Sequence, residues 1–240
     1  MTTLVLAAHG SRDPRFAATV ERVTGAVRQQ LPDVDVRLAY LDLNSPTVAE
    51  VLSRCTGDVV VLPLLLSEAF HSKVDLPAII EVARRNNPAI SVRQLPTLGG
   101  DPRIVTALAD RLDQIGLRPT DGVLLTAVGS SDAAADEAVR MRTHELGLEL
   151  GTPLVQTVFA TRLGSDNVNL RASLRSLRRG GAGRIVVSPY FLSAGLLTER
   201  VDAAVDQLAP GAQIAGPLGA HPDVIDVVCD RYRTGVHASV

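Results

Sequence analysis

The chain has 240 residues, 46% of them hydrophobic, with short runs of Val, Leu, Ile and Ala and no low-complexity segment. That composition excludes a disordered or fibrous protein and predicts an aliphatic core, because Trp is absent and aromatic residues make up only 3%. A formal net charge of −2, with Lys and Arg dispersed, gives no field for collecting nucleic acid or an anionic membrane surface.

The longest apolar stretch, Val59 to Leu66, is far short of the roughly 20 residues of a membrane span. Met1 to Gly10 lacks the basic start of a secretion signal, so a cytoplasmic location is expected. Cys55 and Cys229 are far apart and suggest neither a disulfide framework nor a cysteine metal site. Cys55 continues the stripe Val48, Val51, Leu52 and reads as a core residue.

In chain order, Leu4 to Ala8 reads as a buried parallel strand ending at His9-Gly10-Ser11. Helical spacing of Val20, Val23, Val27 and Leu31 predicts a helix over 17–31. A strand over 34–40, a helix over 47–55, a strand over 58–66 and a helix over 77–85 follow. Strands alternating with helices predict α/β architecture, a parallel sheet flanked by helices.

The second half repeats the first. Val123 to Ser130 aligns with Leu4 to Ser11 at an offset of 119, bringing back Gly10-Ser11 as Gly129-Ser130. The segment Val59 to Ser67 returns as Ile185 to Ser193, and Leu98 to Pro102 returns as Leu218 to Pro222. Three blocks in one order indicate an internal duplication. The expected domains are 1–117 and 118–240, joined through Gly116 to Asp121 and facing each other across a cleft.

In open parallel sheets, ligands bind beyond the carboxyl ends of the strands. His9 ends the first strand, Asp42 follows the second, and His71 follows the third after a short loop. Two imidazoles and a carboxylate suit a borderline divalent metal, and the same neutral imidazoles could accept protons near neutral pH. The second repeat has Val128 for His9 and Leu197 for His71 while the flanking Gly-Ser and Pro-x-x-x-Ser frameworks persist. A requirement of the fold would act on both repeats, so the substitutions favour a functional role for the two histidines.

His221 either faces the cleft or has a surface or helix-start role before Pro222, and Glu68 either reaches the metal or is solvated. Asp75 reads as a helix cap before Pro77. His144 and His237 are expected to be solvated. No phosphate-binding loop, dinucleotide fingerprint or nucleophile elbow is present, so ATP and NAD chemistry are not expected.

The segments Ala8-His9-Gly10-Ser11-Arg12-Asp13-Pro14 and Pro63 to Pro77, with His71-Ser72-Lys73-Val74-Asp75-Leu76-Pro77, resemble the class II chelatases. More closely, they are similar to the long, internally duplicated sirohydrochlorin cobalto- and ferrochelatases of the CbiX type. The resemblance implies insertion of Co²⁺ or Fe²⁺ into sirohydrochlorin without ATP, in siroheme or cobalamin biosynthesis, with no cofactor beyond the metal substrate. Nickel is a further candidate metal.

It also implies that His9 and His71 bind the metal and assist removal of the pyrrole protons, helped by Asp42, where many relatives have Glu. Ser11, Arg12 and Lys73, with Arg15 nearby, are candidates for holding the carboxylate-rich macrocycle. A monomer is expected, the duplication replacing a dimer interface. The competing reading is a carrier that binds metal or tetrapyrrole without turnover. Histidine-phosphatase chemistry is disfavoured because Ala8 stands where an arginine would precede the histidine.

Overall fold

The computed structural model describes residues 2–67, 74–152 and 154–237. The element order is β1 (Thr3–Ala8), α1 (Pro14–Gln30), β2 (Asp35–Tyr40), α2 (Val48–Ser53), β3 (Gly57–Pro63), α3 (Leu76–Asn86), β4 (Ile90–Gln94) and α4 (Arg103–Asp113). The second repeat gives β5 (Asp121–Ala127), α5 (Ala133–Glu149), β6 (Val155–Phe159), α6 (Val168–Arg179), β7 (Arg184–Pro189), α7 (Leu196–Leu208), β8 (Gln213–Ile214) and α8 (Pro222–His237).

Each repeat forms a four-stranded parallel sheet, ordered β2-β1-β3-β4 and β6-β5-β7-β8. The predicted α/β class with two helix-flanked parallel sheets is therefore observed. β1 is central and buried along its whole length, as a continuous apolar run requires when both faces are covered. Its successive side chains serve opposite faces. On one, Val5 and Ala7 join Val59, Val61, Leu52, Leu76 and Ile80 in the core beneath α2 and α3. On the other, α1 packs beside α8. Leu4, Leu6 and Leu62 are fully buried, and truncating any of them to Ala costs about 2–5 kcal/mol.

Local chemistry sets the helix ends. The α1 helix starts at Pro14, three residues before the predicted start, because Asp13 caps it by accepting the Arg15 N–H and Pro suits the first helical position. A reciprocal capping box between Thr47 and Glu50 opens α2. Asp75 departs from expectation: it precedes α3 in helical geometry and makes no side-chain cap bond. The strand read over 58–66 ends at Pro63, with Leu64 still tied to β1 through its N–H, donated to the Ala7 carbonyl.

The compact units are drawn differently from the sequence repeats. One comprises 1–101 with 219–240, the other 102–218. The helix that closes each repeat, α4 or α8, thus belongs to the unit built on the other repeat's sheet: α8 packs on α1 and β3, and α4 on α5 and β7. Within the second unit, Asp121 at the start of β5 is 2% exposed and pairs with Arg184 of β7 at 2.5 Å. Among the described residues, no helix is long and apolar enough to cross a membrane.

Candidate functional site

In the first unit's sheet the chain runs outward from β1 to β2 on one side and to β3 and β4 on the other. The strand order therefore reverses at β1, and the crevice that such a reversal opens lies beyond the carboxyl end of this strand. His9 is the first residue after β1, half-buried, with its Nδ1 screened from solvent.

The loop carrying His9 is locked to the loop carrying Asp42. The Leu41 N–H donates to the Ala8 carbonyl at 2.8 Å, and the Asp42 N–H donates to the His9 carbonyl at 3.0 Å. Gly10 lies between them at φ +102°, and a Cβ built on it would stand 1.8 Å from the Asp42 carbonyl oxygen. Only glycine tolerates both the backbone angle and this approach. The Ser11 N–H donates to the Asn44 side-chain oxygen at 2.6 Å, closing the junction.

The Asp42 side chain is exposed, and its Oδ1 accepts the Leu43 N–H at 2.7 Å, which supports Leu43 at φ +63°. The carboxylate is thus held at the mouth of the loop by one oxygen. Ser11 directs its Oγ to the Asp13 N–H at 3.0 Å. Arg12 is exposed, whereas Arg15 is tied to Asp13 by a 2.5 Å ion pair that holds the Asp13 carboxyl below the usual carboxylate range. His71, Lys73 and Glu68 lie outside the described residues.

The second unit repeats this junction without the imidazole and the carboxylate. The Thr161 N–H donates to the Val128 carbonyl at 3.0 Å, as Asp42 does to His9. Ser130 accepts the Asp132 N–H at 3.0 Å, as Ser11 accepts that of Asp13. The Gly-Ser pair survives in both halves because it builds the turn into a helix. At the positions matching His9 and Asp42 the second unit has Val128, 43% exposed, and Thr161. Leu197, which replaces His71, packs partly buried against the core. The Asn44 acceptor is replaced there by Asp136, which takes the Ser130 N–H at 2.8 Å and pairs with Arg162.

Asn44 is the residue at this junction that sequence reasoning did not single out. Its signal was slight: an Asn in a polar turn, two residues after a candidate ligand. His221 is buried, and its Nδ1 accepts the Asp223 N–H at 3.3 Å, in keeping with the helix-start reading. His144 is exposed, as expected.

The fold is that of a chelatase-type protein. SirB from Bacillus subtilis, solved with Fe³⁺, matches with a TM-score of 0.82 over 97% of this chain and 94% of that one at 23% identity. The sirohydrochlorin chelatase SirB of the same species, solved in complex with cobalt, matches at 0.81 over 99% and 96% with 22% identity. Among curated relatives, a sirohydrochlorin cobaltochelatase of Priestia megaterium is 26% identical over all of this chain and 82% of its own length. A sirohydrochlorin ferrochelatase of the same organism is 26% identical over 98% of this chain and 90% of its own. The CbiX family model matches twice, at residues 3–115 and 122–235, and this chain belongs to the CbiX family.

Proposed function

We propose that this chain is a sirohydrochlorin chelatase, inserting a divalent metal, Co²⁺ or Fe²⁺, into the macrocycle without ATP. The observation that carries this reading is the pair of equivalent junctions: one backbone arrangement presents His9 and Asp42 in the first unit and Val128 and Thr161 in the second. The fold is satisfied either way, so the imidazole and the carboxylate are there for chemistry. Relatives named for this reaction with either metal support the assignment.

Insertion exchanges two pyrrole N–H protons for one metal ion. In this reading His9 and His71 hold the metal substrate loosely and take up the protons, as neutral imidazoles can near pH 7. Asp42, steadied by the Leu43 amide, adds a negative charge that favours the dication and the departing protons. Arg12, Lys73 and the Ser11 hydroxyl are the groups nearest in sequence for the macrocycle's carboxylates.

The test is anaerobic mixing of the protein with excess sirohydrochlorin and Co²⁺ or Fe²⁺, followed by absorbance. Many equivalents of metallated product per protein, formed faster than without it, are expected. Stoichiometric binding with no acceleration would replace the enzyme by a carrier.

A further inference from the structure

A groove separate from the strand-end crevice lies in the first unit, on the open edge of its sheet. β2 is an edge strand, and it floors a groove of about 570 Å³ walled by α1 and α2. Arg28, Arg37 and Arg54 line it, facing one carboxylate, Glu21.

The backbone of the floor is open at Leu38. Because Leu41 donates inward to Ala8, the odd residues of β2 bond to β1 and Val36, Leu38 and Tyr40 turn their polar groups outward. The Val36 carbonyl accepts Arg28 Nε at 2.9 Å, and the Tyr40 N–H donates to the Pro46 carbonyl at 2.9 Å. Among the described residues nothing takes up the outward N–H and C=O of Leu38. An edge blunted on both sides in this way refuses a partner strand and leaves room for a small molecule.

The cations are not a requirement of the fold. The second unit has a corresponding groove, about 580 Å³, on its edge strand β6. There Gly147 stands for Arg28, Gln156 for Arg37 and Thr157 for Leu38, and the Thr157 hydroxyl is paired with that of Thr143 at 2.7 Å. Arg140, which replaces Glu21, lies over the Phe159 ring. In the first unit, Arg37 is anchored to Asp35 at 2.7 Å and supplies fixed charge, whereas Arg54 is exposed at the end of α2.

We infer that this groove binds a small polycarboxylate bearing a hydroxyl or amino donor. Its carboxylates meet Arg28, Arg54 and the Leu38 N–H; its donor meets Glu21 or the Leu38 carbonyl. Bidentate guanidinium–carboxylate pairing gives such a site both charge and shape selectivity. The carboxylates belong either to a free hydroxy acid or to the edge of a larger polycarboxylate such as a tetrapyrrole.

The test uses the metal-free full-length chain with citrate as probe, by calorimetry and by amide NMR. Saturable one-to-one binding that shifts the Leu38 amide is expected, weakened about tenfold or more in folded Arg54→Glu and unchanged in His9→Val. Binding equal in wild type and Arg54→Glu, or lost in His9→Val, would overturn the site, as would no saturable binding. Adding metal-free sirohydrochlorin separates the sources: displacement of citrate from the Leu38 amide assigns the groove to the macrocycle's edge, and its persistence assigns it to a free acid. Because none of these measurements involves metal insertion, the result stands apart from the chelatase assignment.

Discussion

The Asp42 amide donates to the His9 carbonyl at 3.0 Å, so the loop after β2 cannot move without the loop after β1. Two groups from different strands are thereby fixed to one strand-end crevice by main-chain bonds.

Gly10 is the hinge of that lock. Gly10→Ala places a methyl against the Asp42 carbonyl at a backbone angle alanine resists, and is expected to cost about 2 kcal/mol or more. Gly129→Ala at the matching position meets first the Thr161 hydroxyl at 2.7 Å and the Phe159 Cβ at 2.9 Å, side-chain atoms rather than backbone. Chemical denaturation should therefore rank Gly10→Ala as the more destabilising, and only Gly10→Ala should also lower metallation.

Acid sensitivity is expected at the Asp121–Arg184 pair. Hydrogen bonds from the Arg184 guanidinium, then from the Arg118 amide, hold the Asp121 carboxyl below its ordinary value. Its folded pKa is lower than its unfolded pKa of about 3.9, so its stabilisation is complete above the unfolded value and disappears as pH falls through the folded one. Thermal melts should show Asp121→Asn below wild type in Tm at pH 7, with the gap narrowing as pH falls below about 3.9. A constant gap would contradict the ionic origin.

Both cysteines are buried, and burial raises the Cys229 thiol to about 11 and the Cys55 thiol above its usual range. Reaction needs the thiolate and access to it. A disulfide reagent at pH 8 should leave the native protein unlabelled over minutes and label both thiols in denaturant.

The duplication, the parallel sheets and the position of His9 could be read from the sequence because each leaves a local trace: a repeated apolar run, an alternation of periods, a polar residue ending a strand. The half-buried strand β4, Ile90–Gln94, left only a short trace, Ile90 and Val92 alternating with polar residues, and went unread. The allocation of α4 and α8 left none, since an apolar stripe at helical spacing declares that a face is buried and not which sheet buries it. Of the candidate site, the role of Asn44 depends on a contact across 33 residues, visible only once the two loops meet.

The most direct measurement exchanges the two repeats' residues at the crevice. His9→Val installs what the second repeat carries at Val128, so the fold should be retained while turnover of sirohydrochlorin with Co²⁺ or Fe²⁺ falls about 10²-fold or more. Normal turnover in a folded His9→Val protein would contradict the assignment of metal insertion to this site.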